Sequence, residues 1–315
     1  MRSPSRSRGR RGRRRGRGSC RAPENPNMAR DVGLTFAGGG NRALVQVGLL
    51  RRWWQRLEPR VAAVASCSAG ASMAVSLLTG REAEATAYWF GRRAGVERNV
   101  EWARLLRGRR PTPHTPIYRD TLRFALADGG FDRLRALPFP LLVLTAAPPR
   151  WLPGPIAAVV GMSAYSLERK LRRGRLHPRA ARRLGFRPVV YDLRMCAAPE
   201  DVVEIVLASS AAPPFTPLGR RDGTALLDGG LVDNAPAFVA ERIEAVRRHL
   251  VLLTRPYPAA SVGHKGRRWY LAPGEPVPIS RWEYTRPDLV AATIALGDRE
   301  ALRREGELTE FLDGG

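Results

Sequence analysis

The sequence predicts an α/β fold built on a parallel sheet, and three features carry that prediction. Short apolar, valine-rich runs alternate with segments of helical periodicity. A run of three glycines, Gly38-Gly39-Gly40, separates the first strand-like run from the first helix-like one. A second strand-like run, Val61 to Ala65, passes through Ser66-Cys67-Ser68-Ala69-Gly70 into a stretch rich in the helix formers Ala, Met and Leu. Strand, glycine loop, helix, strand, tight turn, helix is the order of a right-handed βαβ unit.

The first strand is Val32 to Phe36, and a helix follows to about Leu57, with Leu44, Val47, Leu50, Trp54 and Leu57 as its apolar stripe. Pro59 ends it. The uncharged stretch Val61 to Gly80, between Arg60 and Arg81, has the length of a membrane span. Its Gly, Ser and Thr content and the turn signal at its centre favour strand, turn and helix instead. From Arg81 to Gly130 the pattern is helical, with a polar, Pro-rich break at Arg107–Pro116. Phe139 to Thr145 is a further buried strand. Trp151 to Leu167 is a second uncharged stretch; a core helix is its plainer reading and a lid or membrane-contacting helix the alternative.

Val189 to Leu193 predicts a strand and Pro199 to Leu207 a helix. The small residues and prolines of Ala208 to Pro217 cannot continue that helix. Thr224 to Leu227 is a strand running into Asp228-Gly229-Gly230. Asn234 then serves as a cap and Pro236 as a first-turn proline for another helix. His249 to Thr254 is the last buried strand, and Pro287 to about Leu308 a terminal helix.

Small residues around Ser68, between a strand and a helix, describe a nucleophile elbow. The pattern puts Ser68, not Cys67, at its apex. In a parallel βαβ unit the Gly38–Gly40 loop lies at the same carboxyl edge as that elbow, where ligands bind. Its bare backbone N–H groups can approach a substrate closely and act as an oxyanion hole. The loop also satisfies a loose dinucleotide fingerprint, Gly38-x-Gly40-x-x-Ala43. That reading needs an acid at the end of the second strand, where this chain has Ser66-Cys67-Ser68; Glu58 precedes the strand. No G-K-[ST] follows the loop, so a P-loop is excluded as well.

A serine nucleophile needs a base within hydrogen-bond reach. Asp228 directly follows an apolar strand, whereas its neighbours Asp222 and Asp233 do not; taken alone, Asp228 reads as a turn aspartate. An ordinary aspartate, with a pKa of about 4, is a poor base at neutral pH. Burial against an apolar, glycine-rich wall raises that value.

The chain has 315 residues, 44% of them hydrophobic, and a net charge of +24 carried almost wholly by arginine; Lys170 and Lys265 are its lysines. Residues 1–27 hold ten arginines and one acid and have no apolar face, which predicts a disordered tail. With no apolar h-region it is not a secretory signal. A solvated tail is its plainer reading, and the lack of interleaved aromatic residues argues against nucleic acid while leaving an arginine-rich arm open. Cys20, Cys67 and Cys196 form no C-x-x-C pair, which fits a reducing, cytoplasmic setting without structural zinc. His114, His177, His249 and His264 show no metal-ligand spacing.

Assembled in this order, the glycine loop with Arg42, the Ser66–Gly70 elbow and Asp228-Gly229-Gly230 followed by Asn234 and Pro236 resemble the patatin-like phospholipase family. The A-S-S-A-A-P-P-F-T-P block is similar to that family too, and the likeness spans most of residues 30–255. Ala43 and Ser66 stand where the family usually has glycine. The resemblance implies a three-layer α/β/α sandwich with a mostly parallel central sheet, spanning residues 28–315 with residues 256–315 packed on it as an extension. It implies lipid acyl ester hydrolysis, of phospholipase A or lysophospholipase type, through an acyl-enzyme. Ser68 would be the nucleophile and Asp228 the base. Gly38, Gly39 and Gly40 would supply oxyanion donors, with Arg42 supporting the loop. The implied substrate is a lipid at a peripheral membrane surface, and the implied cofactor set is empty. Two alternatives remain from the residues alone. One is an α/β-hydrolase esterase with a Ser-Asp-His triad, for which His249 and His264 follow Asp228, although His249 begins its strand. The other is a catalytically weak, basic membrane-binding protein.

Overall fold

The computed structural model describes residues 29–172 and 174–314; the arginine-rich tail lies outside the described residues. The elements are β1 (Val32–Phe36), α1 (Leu44–Leu57), β2 (Val61–Ser66), α2 (Ala69–Leu78), α3 (Glu82–Arg92), α4 (His114–Leu126), α5 (Gly130–Arg135), β3 (Leu141–Ala147), α6 (Gly154–Leu171), α7 (Ala180–Arg183) and β4 (Arg187–Asp192). They continue as α8 (Pro199–Ser209), β5 (Gly219–Arg221), β6 (Thr224–Asp228), α9 (Ala237–Ala240), β7 (Arg248–Leu252), β8 (Gly263–Lys265), β9 (Arg268–Leu271), α10 (Pro287–Arg303) and α11 (Glu305–Asp313).

The sheet runs β5-β6-β3-β2-β1-β7-β9-β8, with β4 also paired to β3. Its centre is parallel: β2 and β7 flank β1, β3 joins β2, and β9 joins β7. The antiparallel pairs are β3 with β4, β3 with β6, β5 with β6 and β8 with β9. Side chains alternate between the faces, as the pleat requires. Val64, Leu141 and Val143 enter one core with residues of α1, α2, α4 and α8. Ala63, Ala65, Leu144 and Ala146 enter the other, beneath α6 and α9. The result is a three-layer α/β/α sandwich.

The edges of β3 set up the site. β4 occupies one edge of β3 along Leu142–Ala147. The other edge carries β2 as far as Ser66 opposite Val143, and then β6, with Asp228 opposite Thr145. So β6 enters the sheet where β2 leaves it. Asp228 therefore ends its strand just past the carboxyl end of β2, beside the turn that holds Ser68.

Several boundaries differ from the sequence reading. The buried tryptophan of α1 is Trp53, with Trp54 only partly covered, because this helix packs on both the sheet and α10. The helical break after α3 is wider than Arg107–Pro116 and contains a 3-10 turn at Trp102–Arg107. Pro116 lies in the first turn of α4, where its missing N–H costs nothing. The C-terminal helix is two, divided at Arg304. Asn234 does not cap α9, whose cap position is Pro236.

The Trp151–Leu167 stretch forms most of α6, and it is not a core helix. Only the small residues Ala157, Ala158 and Gly161 are buried. Trp151, Val159 and Leu171 are 77%, 66% and 74% exposed. No described helix is long and apolar enough to cross a membrane.

Candidate active site

Ser68 stands between β2 and α2 with φ 53° and ψ −135°, the backbone of a sharp elbow. Such a turn brings the chain back against its neighbours, and Gly70 shows how closely: a Cβ there would lie 2.4 Å from Phe36 O. Ser68 N–H donates to Ser209 Oγ at 2.8 Å, and Ser209 Oγ–H donates to Leu144 O at 2.7 Å. The end of α8 thereby buttresses the elbow. The N-terminus of α2 begins at Ala69, so its dipole favours negative charge developing near Ser68.

Ser68 Oγ–H donates to Asp228 Oδ2 at 2.9 Å. Asp228 Oδ1 accepts from Gly230 N–H at 2.7 Å. Burial pushes the Asp228 carboxyl up to about 6, against the hydrogen bonds from Gly230 and Ser68 and the charge of Arg281, which pull it down. The other aspartates are engaged elsewhere. Asp233 pairs with His177 at 2.9 Å, and Asp222 lies in the β5–β6 turn at φ 49°.

The glycine loop faces the elbow. A Cβ on Gly38 would lie 3.2 Å from Ser68 Cβ. Gly38 N–H is committed to Asn234 O at 2.9 Å, and Asn41 N–H to Arg281 O at 3.1 Å. Of the three glycines expected as donors, Gly38 is thus already engaged, while Gly39 and Gly40 line the cavity over Ser68. Gly38 O accepts from Asn234 Nδ2 at 2.9 Å and Thr254 Oγ1 at 2.8 Å. Asn234 is thus a loop anchor rather than a helix cap. Arg42 Nε–H donates to Gly39 O at 3.2 Å. Burial, with Arg281, Arg169 and Arg255 behind it, lowers the Arg42 guanidinium to about 10.

The cavity over Ser68 measures about 120 Å³ and is walled by Met162 and Tyr165 of α6, by Tyr118, and by Phe215, Arg281 and Trp282. A smaller cavity of about 50 Å³ adjoins it, sharing Gly40, Ala69, His114 and Tyr118, and runs between Leu44, Val47, Met73 and Trp89.

Cys67 is fully buried and its thiol is pushed well up by burial and by Asp228, which keeps it protonated. Among the histidines, His249 is buried against Thr35 at 2.6 Å, at the start of β7 and far from the elbow edge. His264 stacks on Trp269. His114 does line the cavity, which the sequence did not anticipate; its Nδ1 pairs with the Tyr284 hydroxyl, and burial pushes its pKa down to about 4.

A family model described as patatin-like phospholipase matches residues 34–241, which hold the glycine loop, the elbow and Asp228. The chain belongs to the patatin-like phospholipase family. This is a family of lipid acyl hydrolases. The fold is similar to that of VipD from Legionella pneumophila, at 13% identity and a TM-score of 0.48, over 90% of this chain and 67% of that one. No curated protein matches the chain.

Within this patatin-like chain, the two departures from glycine occupy space that exists. Ser66 is buried as the last residue of β2, its hydroxyl 3.4 Å from Leu142 O, and Ala43 is buried where the loop enters α1. Sequence reasoning missed Ser209, Tyr118, Arg281 and Trp282. The first lies in the A-S-S-A-A-P-P-F-T-P block already singled out; the others have no local signature.

Proposed function

We propose that the protein is a serine acyl hydrolase that cleaves lipid acyl esters, of phospholipase A or lysophospholipase type, through an acyl-enzyme, with Ser68 as nucleophile and Asp228 as general base. The observation that carries this reading is the 2.9 Å hydrogen bond from Ser68 Oγ to Asp228 Oδ2 at an apolar cavity. Asp228, held near 6, is ionised at neutral pH yet more basic than an exposed aspartate. In the first step Ser68 Oγ attacks the ester carbonyl carbon and its proton passes to Asp228. The N–H groups of Gly39 and Gly40 receive the oxyanion. The carbon–oxygen ester bond breaks, and the alcohol or lyso-lipid leaves with the proton from Asp228. Water then attacks the acyl-enzyme, giving its proton to Asp228, and the fatty acid departs as Ser68 Oγ is reprotonated.

The smaller cavity, between Leu44, Val47, Met73 and Trp89, suits an acyl chain. A lipid surface suits the outside of the site. Leu106, on the 3-10 turn Trp102–Arg107, is 90% exposed, and Ile156, Val159, Leu167 and Leu171 of α6 are exposed as well. Trp102 packs on Phe215 with ring centroids 5.8 Å apart, and Phe215, Met162 and Tyr165 wall the cavity. Both exposed apolar elements are therefore rooted in the cavity wall. With arginines around them they have the composition of a peripheral membrane contact.

A fluorophosphonate that labels the wild type at Ser68, followed by product analysis on phospholipids, acylglycerols and short esters, tests the reading. A Ser-Asp-His triad through His114 has one observation in its favour, the place of His114 in the cavity wall. An imidazole with its pKa near 4 is a weak proton acceptor. His114→Ala retaining most of the activity excludes the triad; activity as low as that of Ser68→Ala supports it.

A further inference from the structure

Beside the cavity over Ser68, four arginines converge from separate parts of the chain. Arg42 follows the glycine loop, Arg169 lies in the last turns of α6, Arg255 follows β7, and Arg281 precedes α10. All four are half-buried and line one small cavity together. That cavity shares Tyr165, Asn234 and Arg281 with the cavity over Ser68. On its outer side a cleft of about 420 Å³ opens between Ser166, Arg169, Lys170 and Arg255. Arg175, also in the wall, is neutralised by Glu168 at 2.7 Å. Among the described residues, Arg42, Arg169 and Arg281 join no salt bridge. Burial lowers the pKa of Arg42 and of Arg169, and the cluster adds to it: Arg281, Arg169 and Arg255 each lower that of Arg42, and Arg281 and Arg255 lower that of Arg169. Half-buried like charges held together destabilise a fold, and a polyanion placed among them reverses the sign of that interaction.

We propose that Arg42, Arg169, Arg255 and Arg281 form a phosphate-binding subsite that takes the headgroup of an anionic glycerophospholipid while its ester lies over Ser68. The proposal rests on the acyl hydrolase reading above. Guanidinium groups bind phosphate oxygens in pairs, with more geometric definition than an ammonium gives. The shared wall of Tyr165, Asn234 and Arg281 joins the subsite to the reaction cavity, so a phosphate carried on the same glycerol as the scissile ester fits both. A choline headgroup would bring its cation among four others. A phosphomonoester, with up to two negative charges and no cation, is the best match. The same arginines could hold free inorganic phosphate, and the test separates the two sources.

The full chain is assayed below the micellar concentration on three substrates of one acyl length: a monoacylglycerol phosphate, a monoacylglycerol and a lysophosphatidylcholine. The phosphomonoester is expected to have the highest kcat/KM, by roughly tenfold or more over the monoacylglycerol, the scale of one or two charge-assisted hydrogen bonds. Arg169→Gln should lower that ratio by about tenfold, mainly through KM, and Arg169→Lys should restore part of it, since it keeps the charge. In parallel, inorganic phosphate is titrated against the melting temperature of Ser68→Ala and of Ser68→Ala with Arg169→Gln. Stabilisation lost with Arg169→Gln, together with the ester preference, supports the headgroup site. Arg169-dependent stabilisation without ester preference assigns the subsite to free phosphate and overturns the headgroup proposal. Equal rates on all three esters with no phosphate stabilisation overturn it altogether. If no ester is cleaved, the hydrolase reading fails, and the Ser68→Ala titration still decides whether the arginines bind phosphate.

Discussion

Ser68 holds a positive φ that an L-residue adopts only under constraint, and the constraint places its hydroxyl on Asp228. Ser68→Ala should abolish turnover and covalent labelling. Asp228→Asn keeps the shape and removes the base, so kcat/KM should fall by about 10²–10⁴-fold on a soluble ester. Because burial raises the Asp228 carboxyl to about 6, the active, ionised form is lost as pH falls through that value. The wild-type kcat/KM should therefore rise with pH to a plateau above about 6, and this limb should be absent from the residual activity of Asp228→Asn. The same shift has a stability consequence of fixed sign. The folded chain binds the proton more tightly than the unfolded one, so stability falls as pH rises from the ordinary aspartate value of 3.8 to about 6, and Asp228→Asn should flatten that dependence. Gly39 is the most direct probe of the oxyanion donors, since a Cβ there would lie 2.3 Å from Thr254 Oγ1. Gly39→Val should displace the loop and cost roughly 10²–10³-fold in kcat, measured on the same ester. Ser68 and Asp228 are legible in the sequence because each sits in a local context, small residues at a turn and a carboxylate after an apolar strand. Tyr118, Arg281 and Trp282 are not. They reach the cavity from distant segments, and no residue beside them in the sequence records what they face.

At the scale of elements, α6 shows what periodicity can and cannot carry. Its uncharged stretch gives a helix but not its partner, and the small buried side of Ala157, Ala158 and Gly161 leaves the large apolar residues outward. The 3-10 turn Trp102–Arg107 precedes the break read at Arg107–Pro116, in a stretch whose pattern read as helical. If these two elements contact lipid, Val159→Asp with Leu106→Asp should weaken vesicle binding at least tenfold while leaving folded yield and soluble-ester turnover intact, since both positions are exposed. Loss of folded protein would contradict the surface role. The crossing of α1 and α10 is set by absent side chains. A Cβ on Gly48 would lie 2.0 Å from Ile294 O, and one on Gly297 would lie 2.0 Å from Val45 O. Gly48→Leu should separate these helices and cost about 3 kcal/mol or more, read from denaturant unfolding. The sequence reading placed Gly48 inside a helix but gave no hint of the crossing, because the partner helix lies more than two hundred residues away.

Across the whole molecule, the parallel core β3-β2-β1-β7 is what alternating strands and helices lead one to expect, whereas β9, a further buried strand beside β7, lies beyond the stretch read as the last one. The antiparallel entry of β6 is different. It depends on β2 ending at Ser66 and freeing the edge of β3 beyond Val143, a fact of register rather than of composition. That register joins a serine and an aspartate 160 residues apart into one hydrogen bond. Whether those two groups act as one catalytic unit can be read from how fast Ser68 is modified. The most direct measurement is intact-mass analysis of the whole chain after brief exposure to a long-chain fluorophosphonate at pH 8, comparing wild type, Ser68→Ala, Asp228→Asn and His114→Ala. One adduct is expected on wild type and on His114→Ala, none on Ser68→Ala, and labelling slowed by at least about a hundredfold in Asp228→Asn. Labelling of Asp228→Asn at the wild-type rate, or its loss in His114→Ala, would contradict the Ser68–Asp228 pair.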